Sequence, residues 1–348
     1  MRRSEFEMPR ADAIALLARA PSVTVATVDP EGRPHLRVLH PVIVDDALYF
    51  HGSVKGERSS MIGWPAVVSV DEVVAGAPSY FFDPVRACPA TTFYVSVQVR
   101  GVIEAVDDPV RKAAALEGLM RRFQPEGGYA TITADDPAYV GPIAGVAIQA
   151  IPLTELVGKA KLAQNRRPAD VAHLLDRLWA RGDAGDPEAI ERIAAANPGT
   201  PRPAFLRGPG DVTLHLDLGP ADLDAALALV ADTYWNEGVD PAVLRRAHLG
   251  SSAWVGARDR SGALIATARA VGDGAKHGWI YDVAVAPEHR GRGVGAALLG
   301  LLLEHPVLRG ALQIHLQTRD AHPFYRRFGF VDLDPGAVRP RMIRRRSG

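Results

Sequence analysis

Cysteine is nearly missing from this chain of 348 residues: Cys88 stands alone. An internal disulfide is thereby excluded, and a reducing cytoplasm is the expected setting. Charge of one sign is not in excess, with 40 basic side chains against 40 acidic ones. Proteins built to hold nucleic acid carry a basic surplus, so no nucleic-acid partner is expected. Long apolar runs are missing as well. The longest, Gly293 to Leu303, is too short to span a bilayer. The charged opening Met1-Arg2-Arg3-Ser4-Glu5 has no apolar stretch behind it, as a secretory signal would. No membrane partner is expected. No spacing of His, Cys, Asp and Glu suggests a metal site. There is no Gly-x-x-x-x-Gly-Lys-Ser/Thr segment to support an ATPase, and no internal repeat.

What is present suits two ordinary domains, each long enough to bury its own core. The first half reads as mostly β. Strands are expected at Val23–Val28, His35–Val44, Leu48–His51, Val67–Val73, Thr92–Ala105 and Val146–Pro152, with helices at Asp12–Ala20 and Pro109–Phe123. Antiparallel strands joined by tight turns imply a barrel or sandwich. Helical patterns follow at Ala169–Ala180 and Pro187–Ala196. Breakers crowd Asn197–Pro203, the best linker candidate. After Asp211 the order becomes α/β. Five arginines in Arg339–Arg346 read as a solvated, disordered end.

The segment richest in chemistry is Arg290-Gly291-Arg292-Gly293-Val294-Gly295. Before it, Tyr281 to Ala286 alternates like a strand. After it, Ala296, Leu299, Leu302 and Leu303 fall on one helical face. A glycine turn opening a helix aims free N–H groups and the positive end of the helix dipole at one point, a natural seat for a diphosphate. Gly291-x-Gly293-x-x-Ala296 also fits a dinucleotide fingerprint. That fingerprint needs its first glycine at the strand end, and Pro287-Glu288-His289-Arg290 intervenes.

Val283-x-Val285-x-Pro287 with Arg290-x-x-Gly293-x-Gly295 resembles the signature of the GCN5-related N-acetyltransferases. Phe324-Tyr325-Arg326-Arg327-Phe328-Gly329-Phe330 is similar to the second motif of that family, in the right order. The resemblance spans roughly 211–334. It implies acetyl-CoA as cosubstrate and a small-molecule amine as acceptor. By position, Arg290, Gly291, Arg292, Gly293, Val294, Gly295 and Ala296 would hold the diphosphate. Val283, Ala284 and Val285 would offer main-chain groups to the pantetheine arm, their strand splaying from its neighbour. Tyr325 matches the tyrosine that protonates the departing thiolate; the alternative is a packing aromatic. Asp282, expected on the face opposite Tyr281, Val283 and Val285, can accept the proton of the amine or cap a loop. Glu237 and Asp240 lie where an acceptor-binding segment falls. His289 and His322 read as loop histidines.

In the first half, Arg37-Val38-Leu39 precedes a strand ending Phe50-His51-Gly52-Ser53-x-Lys55-Gly56-x-Arg58. This resembles the FMN-binding split barrel of the pyridoxamine 5'-phosphate oxidase superfamily, on its nitroimidazole-reductase-like branch. Thr91 to Gly101 is similar to a later barrel strand. Gly158 to Arg166 is similar to a motif of PaiB-type regulators, which share the barrel. Ser53, Lys55 and Arg58 match phosphate-binding positions, and Arg37 is a further candidate. A hydroxyl, an ammonium and a guanidinium so close together can surround a phosphate dianion; an exposed basic loop without ligand is the plain alternative. Some members bind haem, for which His51 would be the axial ligand; the plain alternative is a histidine hydrogen-bonded at a strand end. The resemblance also implies a homodimer.

The expectation is thus two domains. An N-terminal antiparallel split β-barrel with helices covers 1–155. A helical extension and proline-rich linker covers 156–210. A C-terminal α/β acetyltransferase fold with a mixed, mainly antiparallel sheet covers 211–334, before a basic tail, 335–348. The competing expectation is a flavin- or haem-binding sensor or regulator of the PaiB type with a regulatory or inactive transferase half.

Overall fold

The structure, a computed structural model, describes residues 4–53, 61–333 and 341–345. The chain forms two compact units. The first comprises Met1–Val74 and Thr92–Gln164, the second Ala75–Thr91 and Asn165–Gly348.

The first unit is built on two antiparallel sheets. One takes β1 (Val23–Val28), β2 (Pro34–Leu39), β5 (Pro65–Ala77), β6 (Thr91–Val102) and β9 (Glu155–Lys161) in the order β2-β1-β5-β6-β9. The other takes β3 (Val42–Val44), β4 (Ala47–Ser53), β7 (Glu104–Val106) and β8 (Val146–Pro152) in the order β3-β4-β8-β7. Val23, Val25 and Thr27 point inward along β1, as alternation requires. Two expected strands are each split between the sheets. His35–Val44 breaks near Pro41, which has no N–H to give a ladder. Thr92–Ala105 breaks at the buried Ile103.

Helix α1 (Arg10–Arg19) packs on β9, and α2 (Pro109–Phe123) on β3. Asp108 caps α2, with Pro109 at its first turn. The core behind the second sheet joins Val42, Tyr49, Val106, Leu119 and Ile148. Helix α3 (Pro137–Gly145) carries Pro142 inside it and was not expected.

The second unit holds the tip of the β5–β6 hairpin, helices α4 (Pro168–Arg181) and α5 (Asp186–Ala196), and a seven-stranded sheet. Its strands are β10 (Thr213–His215), β11 (Ala253–Arg258), β12 (Leu264–Gly272), β13 (His277–Val285), β14 (Gln313–Gln317), β15 (Val331–Asp332) and β16 (Arg341–Arg345). Their order is β10-β11-β12-β13-β14-β16-β15, and β13–β14 is the parallel pair. Helices α6 (Leu223–Val230) and α7 (Pro241–Leu249) precede β11. Helices α8 (Val294–Glu304) and α9 (Pro306–Arg309) connect β13 to β14, and α10 (His322–Arg326) follows β14.

Two expectations are corrected here. The arginine-rich end is not a solvated tail throughout: Arg341–Arg345 runs between β14 and β15, pairing with both. Helix α8 is not amphipathic along one stripe. Leu298, Leu299, Leu301, Leu302 and Leu303 are all buried, because neighbours cover most of its circumference.

The helical extension is knit into the same unit. Trp179 of α4 stacks on Phe205, with ring centroids 4.8 Å apart, and meets His305 edge-on at 6.3 Å. The Arg309 guanidinium donates to the carbonyls of Trp179, Ala180 and Arg181 at 2.5, 3.2 and 2.8 Å, satisfying the end of α4.

Candidate active site

Strand β13 carries the irregularity that shapes the site. Thr267 pairs with Ala284 and Arg269 with Tyr281, so Asp282 and Val283 together face the single residue Ala268. That is a β-bulge. Asp282 accommodates it with φ +50°, one of three non-glycine residues with positive φ among the described residues. The bulge also shifts the phase of the strand. A Cβ on Gly278 would meet Leu308 of α9, while Val285 lies against Gly295 of α8. These positions are an odd number of residues apart yet face the same helical layer. Strict alternation, which set Asp282 opposite Tyr281, therefore fails. One guanidinium, that of Arg269, lies 4.8 Å from the Tyr281 ring centre and donates to Asp282 at 2.5 Å.

The sheet opens just ahead of the bulge. Strand β13 pairs with β14 through His277, Gly278 and Trp279 only. From Ile280 to Val285 that side of β13 has no strand partner among the described residues. Strand β14 turns its other edge to β16. The edge of β13 at Val283–Val285 is thus left without a strand on its β14 side.

The glycine turn follows this edge in the chain. Gly291 and Gly293 hold φ +71° and +85°, and Gly293 is the N-cap of α8. Such φ values come without Cβ strain only in glycine. No side chain caps the helix. The first amide bonded back is that of Ala297, to the Gly293 carbonyl at 3.0 Å. The N–H groups of Val294, Gly295 and Ala296 are the unpaired donors of a helix start. Gly295 sits where β13, α8 and α10 converge: a Cβ would lie 3.3 Å from Val285 and 3.8 Å from Phe324. Arg290 folds back, its Nε donating to the Val285 carbonyl at 2.9 Å. Arg292 is exposed and lines a cavity of about 340 Å³ at the helix mouth, with His289 and Val294. A second cavity of about 680 Å³, lined by Arg202, His215 and Arg258, shares Asp211, Asp259 and Arg260 with it.

Asp282 is buried, 7 % exposed. Oδ1 accepts from the Trp235 indole N–H at 3.0 Å and the Asn236 amide at 3.3 Å, and Oδ2 from Arg269. A general base must present a lone pair to the proton it takes. Here both oxygens are turned to the protein's own donors, an arrangement that favours the structural alternative for Asp282 over the proton-accepting one. Of the expected acceptor-site acids, Asp240 caps α7 by accepting from the Ala242 N–H at 2.7 Å. Glu237 is exposed.

Tyr325 is buried on α10, packed edge-on against Phe324 and Phe330. Burial pushes its phenol well above the ordinary tyrosine range, and Tyr234 and Asp320 add to the effect. Its hydroxyl has no hydrogen-bond partner among the described residues. Tyr234 and Arg319 were missed by sequence reasoning. Arg319 lies 3.9 Å from the Tyr234 ring centre, and its backbone N–H donates to the Tyr234 hydroxyl at 2.7 Å. Trp235, Asn236, Arg269 and His248 were missed too. They reach Asp282 from 13 to 47 residues away, and no local pattern marks them.

In the first unit, β4 leaves the core at its end: Ala47 to Phe50 are buried, whereas His51 and Ser53 are exposed. Arg37 is half-buried on β2 of the other sheet. Lys55 and Arg58 lie outside the described residues.

A family model matches a stretch of the chain in each half. A family model described as pyridoxamine 5'-phosphate oxidase matches residues 9–160. One described as the acetyltransferase (GNAT) family matches residues 224–330. No curated protein matches the chain. Among solved structures, a protein assigned to the GNAT family from Xanthomonas campestris pv. campestris is 35% identical. The match covers 34% of this chain and 84% of that one, with a TM-score of 0.30. The FAD- and haem-binding protein from Mycobacterium smegmatis is 22% identical over 45% of this chain and 74% of that one, with a TM-score of 0.37. A flavocytochrome from Azotobacter vinelandii is 19% identical over 44% of this chain and 67% of that one, also with a TM-score of 0.37.

Proposed function

We propose that this chain, whose residues 224–330 belong to the GNAT acetyltransferase family and whose residues 9–160 form a pyridoxamine 5'-phosphate oxidase-like domain, transfers acetyl from acetyl-CoA to a small-molecule amine. The observation that carries the reading is the pairing of an uncapped helix start at Gly293 with the open edge of β13 beside it. The pyrophosphate takes the amides of Val294, Gly295 and Ala296. The two adjoining cavities give room for the phosphoadenosine end, and the pantetheine arm extends along Val283 to Val285.

The acceptor nitrogen attacks the thioester carbon as a free amine. The C–N bond forms, a main-chain N–H of the open edge stabilises the oxyanion, and the C–S bond breaks. The thiolate takes the Tyr325 proton, the ammonium proton leaves to water, and water returns a proton to the tyrosinate. Burial keeps the phenol protonated at neutral pH, so its O–H is in place as a donor when the thiolate forms.

The barrel is read as a flavin site. Ser53 at the exposed end of β4, with Lys55 and Arg58 beyond it, supplies a hydroxyl and two cations of the type a phosphate dianion selects. His51 is the ligand position should haem be taken up instead. Bound flavin would supply hydride chemistry.

The test is thiol release from acetyl-CoA against a panel of small amines, with an absorption spectrum of the same preparation. Amine-dependent thiol release is expected, with the absorption of an oxidised flavin. A protein that releases no thiol with any amine overturns the transferase reading. A colourless one that takes up neither flavin nor haem overturns the barrel reading.

A further inference from the structure

We propose that Asp282 is a positioning residue: its buried carboxylate latches the bulge of β13 and so fixes the open main-chain edge from Val283 to Val285. The catalytic consequence rests on the acetyl-transfer reading above; the latch itself does not.

Four observations converge on it. Asp282 and Val283 share one partner residue on β12, so the bulge lies within the stretch of β13, from Ile280 onward, that β14 no longer pairs. An edge free on one side has fewer bonds to hold its shape, and a slip to regular pairing would turn every following group. Asp282 also holds φ +50°. An L side chain disfavours that region enough to shift a population roughly tenfold, so something must oppose relaxation.

The opposing contacts are on the carboxylate. Trp235 and Asn236, in the segment after α6, bind Oδ1, and Arg269 of β12 binds Oδ2. The bulge is thereby tied both to its neighbouring strand and to the segment over it. Arg269 is itself enclosed, with 11% of its side chain exposed.

His248 argues against a proton relay through this group. Its Nδ1 lies 2.9 Å from the Leu244 carbonyl, which accepts and so places the proton on Nδ1. Its Nε2 is buried without a partner, 4.0 Å from Asp282 Oδ2. Burial lowers its pKa, keeping the ring neutral. A neutral ring with a lone pair on that side neither donates to the carboxylate nor delivers it a proton. It walls the carboxylate in, packed against Trp254 at 5.3 Å.

The experiment compares Asp282→Ala with Asp282→Gly. Both remove the carboxylate, but glycine tolerates φ +50° and alanine does not. A base would be lost equally in both. For a latch, alanine lets the strand relax, whereas glycine leaves the bulge free of strain. The readouts are hydrogen exchange of the 280–286 amides in ligand-free full-length protein, and kcat and KM for acetyl-CoA. In the alanine variant, exchange rises and kcat/KM for acetyl-CoA drops roughly tenfold or more. The glycine variant recovers most of both. Equal loss in the two variants, or unchanged exchange in the alanine variant, overturns the latch.

If the wild type transfers no acetyl group, the functional reading falls, while the exchange ordering still decides the latch. Should the alanine variant fail to fold, Trp235→Phe removes a single donor to Oδ1 and is expected to raise exchange over the same amides. Unchanged exchange there counts against the proposal equally.

Discussion

At Gly293 the backbone takes φ +85°, and a Cβ there would only touch Pro209 at 3.8 Å. Space is therefore not the constraint; conformation and charge are. Gly293→Glu adds strain in the left-handed region and a carboxylate where the proposed pyrophosphate sits. Calorimetry with acetyl-CoA is expected to register no binding heat, and an unchanged affinity would remove the site. Tyr325 poses the complementary case, a side chain whose value lies in its proton. Its pKa is raised by burial, so the phenol remains an acid across the neutral and mildly basic range. Tyr325→Phe should lower kcat about 100-fold with CoA affinity unchanged. The wild-type kcat profile should show no loss from this group up to about pH 10. Both residues were legible in the sequence, because each belongs to a short motif whose neighbours set its conformation. The surroundings of Asp282 were not: its donors come from the segment after α6 and from β12, and only folding assembles them.

Elements meet closely where glycine permits. Gly158 lies in β9 beneath α1, and a Cβ there would stand 2.8 Å from Met8 Cβ and 2.9 Å from Ala13 Cβ. Neither atom is the loose end of a side chain, so the helix itself must move. Gly158→Ala should destabilise the first unit by roughly 1–3 kcal/mol through overpacking. A lower denaturant midpoint at unchanged slope would register it; an unchanged midpoint would mean that α1 has room to shift. At this scale strands were legible wherever β-branched residues alternate, as in β1 and β13. The splits of His35–Val44 and Thr92–Ala105 were not, since a continuous apolar run does not say which sheet each half joins. The bulge in β13 escaped for a related reason. Alternation was read as unbroken, and one extra residue reverses it.

Across the second unit, α4 and α9 meet at His305, buried beside Trp179 and Arg309. Burial, reinforced by the Arg309 charge, lowers its pKa to about 4. The unfolded chain, with an ordinary histidine pKa near 6.5, binds the proton first as pH falls. Stability is thus highest above about pH 6.5 and is lost as pH falls toward 4. Protonation of Nδ1 would also remove the acceptor for the Val307 N–H. His305→Asn keeps a capping acceptor without a titrating ring and should flatten this slope. Thermal unfolding followed by tryptophan fluorescence from pH 7 to 4 measures it, and an identical slope in the variant would assign the dependence elsewhere. Among the described residues, no helix is long and apolar enough to cross a membrane.

The amino-acid sequence by itself determined the two-part plan, the glycine turn ahead of α8 and the tyrosine of α10. Each is written in contiguous residues whose conformation follows from local sterics. Tertiary structure alone decided that Arg341–Arg345 becomes an inner strand and that Asp282 meets Arg269, Trp235 and Asn236. The first depends on which distant strand edges pair, the second on which distant groups share a desolvated space. A charged residue looks the same in sequence whether water or a buried partner will satisfy it.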